Sequence, residues 1–204
     1  MINSILLYDN QDTKLGTFFT LCANKFLQLY HNFYNQSVSA EHKTNNGDKN
    51  SIETSLSTYN SSKFLFVSFL HGNEDAMYID NQQVVSTDNA YFFSNAFCYT
   101  FSCHCGKKLA NVLIQNNACA FWGYINKAYS ITDYEDDFAE LATSGLKYFF
   151  DGNSIGNAYS AVIEEYTNKI DELYQTDFFV AATLLHNRDS VTALGDKNLT
   201  VNDF

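Results

Sequence analysis

Short uninterrupted apolar runs alternate along the chain with longer segments whose apolar positions recur every three or four residues. Residues 4–9 (SILLYD) are the first such run and predict a short buried strand. Leu15, Phe18, Phe19, Cys22, Phe26, Leu29, Tyr30 and Phe33 then follow at helical spacing and predict an amphipathic helix. Residues 36–62 are polar and read as a surface loop, with a helical turn or two over 52–59. Residues 63–70 (KFLFVSFL) are continuously apolar and rich in Phe and Val, the pattern of a central strand buried on both faces, and the run stops at His71-Gly72. Residues 76–86 predict a hairpin turning at Asp80-Asn81. Residues 97–102 (FCYTFS) predict another buried strand, Leu109, Val112 and Leu113 a helix, and 118–124 (ACAFWGY) a further strand. Helices are predicted over 136–150, 155–174 and 178–185, and an edge strand over 190–196.

Strands alternating with helices predict an α/β architecture, a sheet with helices on both faces. The chain has 204 residues, 46% apolar and 16% aromatic, enough to bury one core. With no repeat, composition break or Pro-rich linker, residues 1–204 are expected to form a single domain. The formal net charge is -11 and no Lys/Arg cluster stands out, which argues against nucleic-acid binding and favours basic partners. No apolar stretch approaches the roughly 20 residues of a membrane span, so no membrane association is expected. The opening residues MINSILLYDN lack the basic flank of a secretion signal, and the expectation is a cytoplasmic chain with five reduced cysteines. Cys22, Cys98 and Cys119 sit inside apolar patterns and read as small core residues.

The chemistry concentrates in residues 100–110 (TFSCHCGKKLA). Cys103-His104-Cys105 supplies too few ligands for a zinc site, and no second Cys/His pair completes it. A redox pair at a helix start wants Cys-x-x-Cys, not Cys-x-Cys. No metal or cofactor is therefore expected. Cys103 instead falls where a buried strand ends and a helix is predicted to begin, the place where open α/β sheets build their sites. A helix N-terminus there would favour thiolate over thiol, with Gly106 allowing a tight turn beneath the sulfur. His71 ends the preceding apolar run, and if the two strands are neighbours, imidazole and thiol share one sheet edge.

FLFVSFLHGNEDAMYIDNQQVVS followed by AFCYTFSCHCGKKLANVLIQNNACAFWGY resembles the caspase-like cysteine peptidases: caspases, legumains, gingipains, separases and bacterial CHAT domains. The likeness covers about residues 63–196 and is clearest at His71-Gly72 and at Cys103 to Gly106, where SCHCG stands for the family's Ala-Cys-x-Ser-Gly. It implies a three-layer α/β/α sandwich around a mostly parallel sheet. It also implies a cysteine endopeptidase with Cys103 as nucleophile and His71 as proton-transfer partner. Gly72 and the Cys103 amide would form the oxyanion hole. His104 would face away and be structural. Family pockets draw on the end of the first strand and on the loop after FWGY, where the residues are acidic, with Asp133 the first choice and Asp9 the second. Cleavage of a protein or peptide after Arg or Lys follows as an expectation. Bacterial members often answer to a separate activator or sensor subunit, some in antiviral defence. A catalytically silent adaptor of the same fold is the alternative.

Overall fold

The computed structural model describes residues 2–204. Six strands form the central sheet, in the order β2-β1-β3-β7-β8-β9. They are β1 (Asn3–Tyr8), β2 (Ala40–Lys43), β3 (Phe64–Phe69), β7 (Ala96–Phe101), β8 (Ala120–Tyr124) and β9 (Val191–Gly195). The first five run parallel, and β9 closes one edge antiparallel to β8. Both side-chain sets of β3 and β7 are buried, as their continuous apolar runs require.

One face carries α1 (Gly16–Tyr34), α4 (Glu135–Phe150), α5 (Ile155–Leu173) and α6 (Phe178–Ser190) over Leu65, Val67, Phe69, Tyr99, Phe101 and Trp122. The close approach of α4 depends on Gly145, where a Cβ would stand 2.8 Å from the Trp122 ring and 2.9 Å from Tyr99 Oη. The other face carries α2 (Lys49–Tyr59), α3 (Leu109–Gln115) and a 3-10 helix at Thr87–Phe93 over Ile5, Leu7, Phe66, Cys98 and Phe121. The molecule is thus a three-layer α/β/α sandwich, as the alternation predicts.

Residues 36–62 depart from the surface loop predicted for them. Ala40–Lys43 pairs parallel with β1, and α2 runs the full length from Lys49 to Tyr59. Asp48 caps that helix by accepting from the amides of Asn50 and Ser51, while Ile52 and Leu56, four apart, are its buried stripe. Two anchors in eleven residues are too sparse a pattern to announce a helix on their own.

A second, three-stranded sheet stands on the C-terminal edge of the first. It comprises β4 (His71–Gly72), β5 (Ala76–Ile79) and β6 (Gln82–Ser86). The hairpin turns at Asp80 and Asn81, both with positive φ (45° and 61°), which suits their short polar side chains.

Candidate active site

Parallel pairing decides which residues meet. Phe69 of β3 lies opposite Phe101 of β7, an offset of 32 residues that also separates His71 from Cys103. Both strands end within a residue of each other, so His71-Gly72 and Ser102-Cys103 leave the sheet side by side. Buried hydroxyls link these ends: Ser68 Oγ donates to Thr100 Oγ1 at 2.8 Å, and Thr100 and Ser102 hydroxyls are 2.8 Å apart. Gly72 packs directly on the cysteine turn. A Cβ at position 72 would fall 2.6 Å from Cys105 Sγ and 2.9 Å from the Cys103 carbonyl oxygen. Glycine is required here by close approach, not by a left-handed φ.

The turn after β7 differs from the predicted helix start. α3 begins at Leu109, six residues beyond Cys103, and residues 103–108 are a run of turns. The left-handed residue is His104 (φ 61°), not Gly106. Gly106 is instead reserved by contact, since a Cβ there would lie 2.7 Å from Thr192 Cγ2. His104 is half-buried; strand geometry does not persist past β7, so no strand alternation sets its direction. Its Nδ1 has no hydrogen-bond partner among the described residues.

Cys103 is half-buried beneath residues 125–131. Its Sγ lies 3.4 Å from the Ala128 amide, which donates to it, and 3.7 Å from the Ala128 carbonyl. The cover is latched to α6: Asn187 accepts from the Tyr129 amide and donates to the Tyr129 carbonyl. Without a helix dipole at the sulfur, burial dominates and raises the thiol pKa, with the Ala128 amide and Lys127 opposing in part. Burial at the sulfur thus favours the thiol, against the helix-start reading that favours thiolate. A raised pKa keeps the proton on sulfur past the ordinary thiol value of about 8.5. Alkylation of Cys103 by iodoacetamide, read by mass spectrometry, is therefore expected to be slow at neutral pH and to climb above that value. A rate already at its plateau at pH 7 contradicts the burial argument.

Beside His71 an open cavity of about 540 Å³ lies between the β1–α1 loop and the hairpin; Cys103 is not among the residues that line it. Asp9, Asp12, Thr44, His71, Gly72, Tyr78 and Asp80 are among its lining, with no Lys or Arg. This is the switch point of the sheet, because the chain leaves β1 outward to β2 and returns inward to β3; open α/β folds place ligands there. Asp9 is buried and accepts from Thr44 Oγ1 at 2.7 Å, the Gln11 amide at 3.3 Å and the Asp80 amide at 3.1 Å. Asp133 is exposed on a short 3-10 turn at Thr132–Tyr134 and is not among the residues that line the cavity, whereas Asp9 is.

Asp12 escaped the sequence reading. Its Oδ2 lies 3.0 Å from His71 Nε2, across 59 residues of chain. The only local signal is an acid four residues before the start of α1, which resembles a cap and nothing more. Among the described residues, no group of three or more His, Cys, Asp and Glu side chains is placed to hold a metal ion. No helix among them is long and apolar enough to cross a membrane.

No family model matches the chain, and no curated protein matches it. Among solved structures it is similar to a chain of the Saccharomyces cerevisiae separase-securin complex, with TM-score 0.62 and 12% identity. The match covers 96% of the present chain and 12% of that one, so this chain spans a small part of its neighbour's length. At that identity the likeness is one of fold.

Proposed function

We propose that the chain is a cysteine endopeptidase working through His71 and Cys103. The observation that supports the reading is the seating of Gly72 on the cysteine turn, where β3 and β7 end at the same edge of the sheet. Cys103 Sγ gives its proton to His71 and attacks the scissile carbonyl carbon, forming the C–S bond. The oxyanion is held by the amides of Gly72 and Cys103; among the described residues the Cys103 amide donates to no oxygen. His71 then returns the proton to the departing amine as the C–N bond breaks, and water hydrolyses the thioester.

The cavity beside His71 would take the side chain preceding the cut. Its lining carries three carboxylates and no cation, which favours Arg or Lys over Asp. Asp9 is the first choice of pocket acid, since its hydrogen bonds hold it in place at the cavity wall. A peptide library varied at that position is expected to be cut after Arg or Lys. Asp9→Asn keeps the shape and removes the charge, and should lower kcat/KM for the Arg peptide about 10- to 100-fold, the worth of one charged hydrogen bond. A wild-type preference for Asp or a large apolar residue would sink the specificity. A basic preference untouched by Asp9→Asn would reject the residue and keep the pocket.

A catalytically silent binding module is the second reading, and the covered thiol is the observation in its favour. Labelling of Cys103 by a peptide-derived thiol probe separates the two. Regulation by a separate activator, and a role in bacterial defence, belong to the family resemblance alone.

A further inference from the structure

We propose that Tyr78 binds the substrate, its hydroxyl donating to the first main-chain carbonyl after the cut; the inference rests on His71 serving the departing amine. Tyr78 lies on β5 directly opposite His71 on β4, so the two side chains leave the small sheet on the same face. It is half-buried and lines the cavity together with His71 and Gly72. Two side-chain amides hold its phenol oxygen: Asn73 Nδ2 donates to it at 2.7 Å and Gln83 Nε2 at 3.3 Å. The Asn73 amide cannot turn over, because its Oδ1 accepts from the backbone amides of Asp75 (2.8 Å) and Ala76 (2.9 Å). The phenol oxygen is therefore an acceptor on its protein side. Its own proton has no acceptor among the described residues and is left for the cavity.

The rest of the wall decides what that proton can meet. Ionised Asp9, Asp12 and Asp80 accept and do not donate, and Thr44 already gives its hydroxyl proton to Asp9. A basic side chain brings donors to those carboxylates and has no acceptor to offer the phenol. The acceptor must then come from the peptide backbone. His71 lines this cavity and Cys103 does not, so the half of the peptide that meets Tyr78 is the half His71 protonates as it leaves. The first carbonyl of that half follows the scissile nitrogen by one residue. A cavity of about 540 Å³ has room for it beside the side chain that precedes the cut. A donor left unpaired when the peptide displaces water is costly, so the contact selects as well as binds.

Two substrates that differ by one carbonyl test this. One peptide ends in Arg-Gly-amide; the other ends at the same Arg as its methylamide, which keeps the scissile amide and lacks the carbonyl after it. Tyr78→Phe keeps the ring and removes the proton. It is expected to lower kcat/KM about 3- to 10-fold for the Arg-Gly-amide, the worth of one neutral hydrogen bond, and to leave the methylamide within about twofold. Asn73→Asp is the second variant: its Oδ1 keeps both backbone contacts, while its Oδ2 replaces the amide at the phenol and captures the proton. In the Tyr78→Phe background it acts through its added charge alone. With Tyr78 present it is therefore expected to cost the Arg-Gly-amide about 3- to 10-fold more than without. An equal loss for both substrates in Tyr78→Phe, no loss for either, or an Asn73→Asp effect that is the same in both backgrounds overturns the proposal. A wild type that cuts neither substrate overturns the peptidase reading. Calorimetric binding of the same two peptides then decides, with Tyr78→Phe expected to weaken the Arg-Gly-amide alone, and any other pattern, including binding of neither, overturns the proposal too.

Discussion

Cys103→Ala is expected to abolish peptide hydrolysis, while Cys105→Ser retains it within a few-fold. Removal of a covalent nucleophile costs on the order of 10⁴–10⁶ in turnover, because no neighbouring group replaces the sulfur on the carbonyl. The two cysteines differ in what they touch. Cys103 is half-buried under a peptide group of residues 125–131, whereas Cys105 is fully buried in the second core and packs under position 72. Burial also raises the Cys105 thiol pKa strongly, so it is a poor nucleophile as well as an inaccessible one. Peptide hydrolysis and probe labelling, each measured on both variants, check the assignment. An active Cys103→Ala with an inactive Cys105→Ser would move the nucleophile by two residues.

Gly72→Ala carries the second large effect. A methyl at position 72 meets Cys105 Sγ, the Cys103 carbonyl and Ser102 Cβ, all under 3.0 Å. Neither neighbour can give way: Cys105 is packed on all sides, and the carbonyl belongs to the backbone of Cys103 itself. Overpacking of this kind costs about 1–3 kcal/mol, which is on the order of 2–12 °C in Tm for a domain of this size. Relief comes by displacing residues 102–105, and misplacement near 1 Å costs about 10²-fold in turnover. Calorimetry and kinetics should both move. Adding Cys105→Ala removes the nearest clash and is expected to recover part of the Tm but not the turnover, since the carbonyl contact persists. A Gly72→Ala chain with wild-type stability and activity would mean that the two turns are not in contact.

The elements written as unbroken apolar runs were legible because burial on both faces leaves no other composition. KFLFVSFL and FCYTFS became β3 and β7, paired in the register that sets Phe69 opposite Phe101 and ends both strands at one edge of the sheet. Long helices with a buried stripe, such as α1, α4 and α5, were legible for the same reason at another period. β2 was not, because a four-residue strand with Glu41 and Lys43 in it has no apolar signature. β4 is two residues long and owes its strand conformation to pairing with β5. The turn at Cys103 misled because a strand followed by a helix implies a dipole at the junction, and six residues of turn intervene. Asp12 and Ala128 were invisible for a different reason: each acts on a residue 25 or 59 positions away, and no local pattern encodes that distance.

The short strand β2 also governs how the folded molecule behaves among its own copies. It covers the edge of β1, whose ILLY sequence would otherwise offer free amides and carbonyls beside an apolar ladder. The edge exposed in its place is four residues long and alternates Glu41, His42 and Lys43, with Glu41 and Lys43 joined as an ion pair at 3.0 Å. Charge at an open strand deters a second sheet from docking in register. A polar segment with almost no sequence signature therefore acts as the sheet's guard against self-association.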